Sequence, residues 1–299
     1  MITVFLRGGL GNQMFEYAAG FALAKRNNSE LVLDTTFMND RFPRRQFTYR
    51  TYDLDVFAID PKFTALSKAS SRMPIPGVWL GLDLAGMAMR TIFGAQKLIK
   101  EDEINGLDER VFHAGSNTLL WGRWQNPHYF EDVAEELRER IFRFRYPTEG
   151  KIKALGEEIT DPQMNSVSMH VRRGDYLLPK NRKLYGSDTD LAYYERAVEH
   201  IAQKVPNPHF YIFSDDQAWC RENLKLSYPT TFVDESYAGP KSSFNLQLMS
   251  LCKHNVIANS SFSWWGAWLN RNREKIVVAP KVWSRTVKTK DIIPNGDIL

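Results

Sequence analysis

Only two cysteines occur in 299 residues, Cys220 and Cys252, both within amphipathic stretches. A disulfide framework is therefore not expected, a reducing compartment is the simpler setting, and both thiols read as core residues. Histidine is scarce too, at six, and no His/Cys cluster has zinc spacing. No lysine followed by Ser or Thr closes a glycine turn, which rules out a P-loop, and no Gly-x-Ser-x-Gly elbow marks a serine hydrolase. Long apolar runs are missing as well. The most apolar region, Pro74 to Met89, is broken by Asp83 and closed by Arg90, short of the roughly 20 residues of a membrane-spanning helix. It reads as a buried or interfacial helix, and Trp79, Met87 and Phe93 near Arg90 and Lys97 leave room for a peripheral membrane contact. No charged leader with a small-residue cleavage site precedes the strand-like Ile2-Thr3-Val4-Phe5-Leu6, so no signal peptide is expected, and a cytoplasmic setting is the expectation. Neither sign of charge dominates: 39 basic and 35 acidic residues leave +4. Without a long basic stripe interleaved with aromatics, nucleic acid is not the expected partner, whereas a small anionic ligand fits.

What is present is a globular composition, 43% apolar and 25% charged. From residue 166 onward, strand-like and helix-like segments alternate: strand 167–171, helix 190–204, strand 209–214, helix 216–224, strand 231–233, helix 242–253, strand 255–259, helix 262–271 and strand 276–279. That is the pattern of a parallel sheet covered by helices, with ligands beyond the carboxyl ends of its strands. The first half opens similarly, with strand 2–6, a glycine turn, a helix from about Asn12 to Arg26 carrying Phe15, Ala18, Ala19, Ala22 and Leu23 on one face, and strand 31–34. Residues 37–52 mix aromatics with Arg41, Arg44, Arg45 and Arg50, which suits an anion-facing loop or a solvated one. A second helix is expected over 131–142 with Val133, Leu137 and Ile141 inward. Pro147 and Gly150 interrupt the periodicity, dividing the chain into domains 1–148 and 149–299.

Four motifs carry the chemistry. His170-Val171-Arg172-Arg173-Gly174-Asp175-Tyr176 follows the apolar run ending at Val171. Two guanidinium forks at the mouth of a buried strand suit a diphosphate; the bland reading is an ion pair of Arg172 or Arg173 with Asp175. Gly8-Gly9-Leu10-Gly11-Asn12-Gln13 joins the first strand to a helix, where backbone N–H groups favour a negative group. It could equally be a tight turn. Matching it to a dinucleotide fingerprint puts Met14 where the third glycine belongs, which argues against nicotinamide. Phe213-Ser214-Asp215-Asp216 brings two carboxylates to the same sheet edge, Asp215 for ligand and Asp216 as a helix cap. Ser260-Ser261-Phe262-Ser263-Trp264-Trp265-Gly266-Ala267-Trp268 starts another helix there, its tryptophans more in keeping with core than with a sugar platform. Asp53-x-Asp55 and Asp188-x-Asp190 match a short metal-holding pattern, but Asp190 stands at a helix start, and capping or surface roles are preferred.

Taken in order, these four segments resemble the α-1,2-fucosyltransferases of glycosyltransferase family 11 along almost the whole chain. The resemblance implies an α/β, GT-B-like fold: two Rossmann-like domains facing a central cleft, the N-terminal one on the acceptor side and the C-terminal one binding GDP-fucose. It implies inverting transfer of L-fucose from GDP-β-L-fucose to the 2-hydroxyl of a galactose-terminated oligosaccharide or lipid-linked glycan, with no cofactor and no obligatory metal. On the family pattern, Arg172, His170 and Asp175 are catalytic, and Gly9, Gly11, Asn12, Arg173, Asp215, Ser261 and Phe262 bind substrate. The proton acceptor is not singled out; Asp175, His170, Glu16 and Asp34 are its candidates. One departure is Glu16, where the family usually has Gln, a residue expected to be exposed on the first helix. Alternatives are transfer of another GDP-sugar or to another hydroxyl and, from a different class, a non-catalytic nucleotide- or nucleic-acid-binding module.

Overall fold

The strand Ile2–Phe5 (β1) is buried at all four positions, which an apolar segment can be only where helices cover both faces of its sheet. The computed structural model describes residues 1–39, 49–65, 67–68, 96–102, 106–174, 189–284, 287–293 and 295–299. The segment 74–89, Arg41, Arg44, Arg45, Asp175, Tyr176 and Asp188 lie outside them. The chain divides into two units, Met1–Arg145 and Tyr146–Leu299.

In the first unit β1 is central. Leu31–Asp34 (β2), Lys62–Phe63 (β3), Lys97–Lys100 (β4) and Thr118–Trp121 (β5) complete a sheet of order β3-β2-β1-β5-β4, parallel throughout. The helix Leu10–Arg26 (α1) packs on it through Phe15, Ala18, Ala19, Ala22 and Leu23, all fully buried. Small residues bring the helix close: a Cβ on Gly20 would stand 2.2 Å from Val4 Cγ2. Residues 127–141 depart from the single helix expected. A 3-10 segment Pro127–Val133, a turn of α-helix Ala134–Glu136 and a π-turn Leu137–Ile141 replace it. The break lies at Phe130, whose backbone leaves the helical region (φ −136°, ψ 21°) as its buried ring packs 6.0 Å from that of Phe15.

The second unit is a six-stranded sheet of Asn165–Val171 (β6), Pro208–Ser214 (β7), Thr230–Val233 (β8), His254–Val256 (β9), Val277–Ala279 (β10) and, after a separate antiparallel pair Val282–Ser284 (β11) and Val287–Lys288 (β12), Asp297–Ile298 (β13). Its order is β13-β10-β9-β6-β7-β8, again all parallel. The longer helices are Gly150–Ile159 (α2), Leu191–Lys204 (α3), Gln217–Asn223 (α4), Ser243–Leu251 (α5) and Ser261–Leu269 (α6). Strand alternation splits the core in two. Phe210 and Ile212 join Tyr193, Tyr194, Ala197 and Ile201 of α3, while Tyr211 and Phe213 join Leu155 and Ile159 of α2 and Leu248 and Met249 of α5. Both cysteines are buried and unpaired, as core residues should be. Asp190 caps α3, accepting from the Tyr193 N–H at 2.9 Å.

Register decides what meets what at the carboxyl edge. Val171 lies opposite Ser214 and Met169 opposite Val256. The residues after β6, β7 and β9 therefore emerge side by side, and these are the arginine pair, the Asp-Asp pair and the serine-led start of α6.

Candidate functional site

Arg172 follows β6 directly, and its Nη1 lies 2.6 Å from Asp215 Oδ2, both side chains one-quarter exposed. The other oxygen of Asp215 accepts the Arg173 backbone N–H at 2.9 Å. One carboxylate thus fixes both the guanidinium of Arg172 and the backbone turn beyond it. Gly174 completes the arrangement by close approach, since a Cβ there would lie 2.5 Å from Asp215 Oδ2. Arg173 is braced separately: its Nε lies 3.2 Å from Asp216 Oδ2, and its guanidinium sits 3.8 Å from the Trp219 ring centroid. That stacking suits a planar cation. Asp216 also caps α4, accepting from the Trp219 N–H at 3.1 Å. Both arginines therefore pair with the Phe213-Ser214-Asp215-Asp216 motif, and Asp175, the partner weighed in the sequence, lies outside the described residues. The spacing of Asp216 and Trp219 placed them on one helical turn, a signal that could have identified the Arg173 bracket.

His170, the penultimate residue of β6, is 6% exposed. Its ring lies 5.7 Å from that of Phe262, its carbonyl accepts from the Tyr194 hydroxyl at 3.2 Å, and its buried Nδ1 has no hydrogen-bond partner among the described residues. Burial brings its pKa down to about 4, with Asp215 opposing and Arg172 assisting. The imidazole is neutral at physiological pH. Ser260 is the N-cap of α6 without a side-chain cap bond, and no acidic residue stands in the first turn. Ser261 and Phe262 open that helix half-buried, whereas the Ser263 hydroxyl is spent on the Ala258 and Ser260 carbonyls. Trp264, Trp265 and Trp268 pack on one another, the first two buried, as core.

In the first unit the glycine motif forms a tight strand-to-helix turn. Gly8 takes φ +82°, where L residues are strained, and a Cβ on it would collide with the Asn12 side chain. Gly9 is the N-cap of α1, its carbonyl accepting from the Asn12 and Gln13 N–H groups. A Cβ on Gly9 would lie 3.4 Å from Arg50 Nη1. Gly11 is buried in the first turn, and Asn12 Oδ1 accepts from Gln125 at 2.7 Å. Gln13 ties the turn to residues 51–53, donating to the Gly8 and Thr51 carbonyls and accepting from the Asp53 N–H. Asp53 precedes a short 3-10 turn and accepts from the Thr51 hydroxyl. Glu16 corrects its expectation: it is 0% exposed, because α1 turns that face toward the end of β1, where Glu16 Oε2 accepts the Arg7 N–H at 2.9 Å. Trp124, fully buried, takes φ +51° with its N–H on Glu101 Oε1 at 3.2 Å, an unusual backbone for so large a residue.

The family model for glycosyl transferase family 11 matches residues 1–293. The chain belongs to that family. Among its relatives, the O-antigen biosynthesis glycosyltransferase WbnK of Escherichia coli is 32% identical over 290 residues, 93% of either chain. An α-1,2-colitosyltransferase of Escherichia coli is 32% identical over 95% of this chain and 92% of its own. Among solved structures, the fucosyltransferase NodZ from Bradyrhizobium superposes with a TM-score of 0.50 at 17% identity, covering 89% of this chain and 91% of that one. The fold is accordingly GT-B-like, built of two Rossmann-like halves, and this family 11 chain is a glycosyltransferase. No helix among the described residues is long and apolar enough to cross a membrane.

Proposed function

We propose that this glycosyltransferase moves L-fucose from GDP-β-L-fucose to the 2-hydroxyl of a terminal β-galactoside, with inversion and without an obligatory metal ion. The observation that carries the reading is the Arg172–Asp215 pair, 2.6 Å apart at the carboxyl ends of β6 and β7. A guanidinium already oriented there can meet a diphosphate with two parallel N–H donors. Breaking the fucose–phosphate bond develops negative charge on GDP. A cation about 4 Å away stabilises it by roughly 4 kcal/mol at an effective dielectric near 20. The N-terminus of α6 adds partial positive charge at the same edge. Further support comes from relatives: a mouse galactoside 2-α-L-fucosyltransferase is 25% identical over 90% of this chain, and NodZ has been crystallised with GDP.

In this reading Arg172 carries the charge stabilisation and His170, neutral and buried, orients the site rather than moving a proton. Arg173 holds the turn beyond β6, Asp215 aims Arg172, and Ser261 and Phe262 border the donor. Gly9, Gly11 and Asn12 bring α1's N-terminus to the substrates. Inversion asks for a proton acceptor opposite the leaving group; Asp175 is the candidate in the same motif, and an oxocarbenium-like transition state lowers the basicity required. The second unit would bind the donor and the first the acceptor, a lipid-linked or surface-polysaccharide precursor in the cytoplasm, in keeping with the O-antigen role in the name of the first relative.

The test incubates the protein with GDP-fucose and a panel holding lactose and Gal-β-1,3 acceptors, with and without EDTA. Acceptor-dependent GDP release that EDTA leaves intact, and an α-1,2 linkage by NMR, are expected; another linkage or loss with EDTA overturns the corresponding part. The α-1,2-colitosyltransferase relative favours a second reading, a colitosyl donor. Comparing kcat/KM for the two GDP-sugars decides between them.

A further inference from the structure

Glu16 sits on α1 about two turns after Gly9, and 0% of it is exposed. Its Oε2 accepts the Arg7 N–H at 2.9 Å, at the point where β1 gives way to Gly8 and Gly9. Its Oε1 is buried with no hydrogen-bond partner among the described residues, and so is Arg7 Nε. A full charge with one oxygen unsolvated and undonated is costly, whereas a neutral acid loses much less. The charged groups facing it are Arg7 after β1, Arg123 after β5 and Glu101, which follows β4. The arginines favour ionisation and Glu101 opposes it, but burial is the largest influence and holds the pKa well above the ordinary carboxylate range.

We propose that Glu16 is a positioning residue working as an uncharged carboxylic acid: by taking the Arg7 N–H it closes the turn from β1 to α1 and holds Gly8, Gly9 and the first turn of α1 against the substrate. As a neutral acid it is isosteric with glutamine, one oxygen accepting and one polar hydrogen in place of two. The substrate clause rests on the transfer reaction proposed above; the protonation state does not.

Two measurements test it on the full chain. Thermal melts of wild type and Glu16→Gln from pH 5 to pH 9 read the protonation state without any assumption about activity. A carboxyl raised in the fold loses stability as pH climbs from its unfolded value through its folded one. The Gln variant should thus match wild type near pH 5 and melt higher at pH 8. A Gln variant that melts lower at pH 8 means an ionised, paired Glu16 and overturns the proposal. Kinetics with GDP-fucose and lactose then read positioning. Glu16→Ala should lose at least tenfold in kcat/KM, Glu16→Gln should rescue it, and an alkaline fall in wild-type kcat/KM should be absent from the Gln variant. Equal kcat/KM in the Ala variant, or an alkaline limb kept by Gln, sinks the positioning role. If no transfer is seen with wild type, the functional reading fails while the melts still decide the charge of Glu16.

Discussion

Arg172 and Arg173 are adjacent in the chain yet held by different means, and this separates their consequences. Arg172 is aimed by Asp215; replacing it with Ala should lower kcat by two or more decades, and Lys should rescue poorly, having no bidentate fork. Steady-state turnover checks this, and wild-type-like Arg172→Lys would refute the clamp. Arg173, pressed on Trp219 and joined to Asp216, belongs to the loop's shape, so Trp219→Ala should raise KM for the donor more than it lowers kcat. His170 gives a stability signature. Its pKa falls from an unfolded value near 6.5 to about 4 in the fold, so within that window the unfolded chain binds the extra proton and stability drops as the medium is acidified. The loss over the window is about 3 kcal/mol. Urea melts at pH 6.5 and pH 4.5 should show a smaller acid loss in His170→Gln than in wild type.

At the scale of elements, strands and helices of the second half were legible because apolar runs bounded by Asp, Ser and Asn report both the period and the caps. Asp190 and Asp216 were readable as caps from position alone, and both make the expected bond. Residues 127–141 were not, because Val133 and Leu137 keep helical spacing while the break comes from the ring of Phe130 seeking Phe15, a contact across more than a hundred residues. Glu16 escaped for a similar reason. A charged residue on a helix reads as solvent-facing until the end of β1 is known to pass behind it. The motifs could name Asp215 and the arginines, but their pairing needed the register of β6 against β7. Gly20 tests element packing directly: Gly20→Ala drives a Cβ into Val4 Cγ2 and should cost about 1–3 kcal/mol in chemical denaturation, despite the better helix propensity of alanine.

For the whole molecule, the donor prediction is thermodynamic. GDP that binds only the folded chain should stabilise it by about 2.7 kcal/mol at 100 times its Kd. The corresponding rise in Tm should be the same with EDTA or added Mg2+; a shift that appears only with the metal would contradict arginine as the diphosphate's counter-charge.

Both sheets place an early strand at their centre, and this has a cost in time. β1 must wait for β5, 116 residues later by the pairing of Ile2 with Thr118, before its second edge is filled, an interval of about 6 to 23 s at ordinary rates of synthesis. Through that interval an apolar strand emerging from the ribosome has one edge open to any neighbour, and β6, waiting for β9, repeats the exposure. Yield of soluble protein should therefore depend on expression temperature and on chaperone supply well before any loss of native stability is measurable.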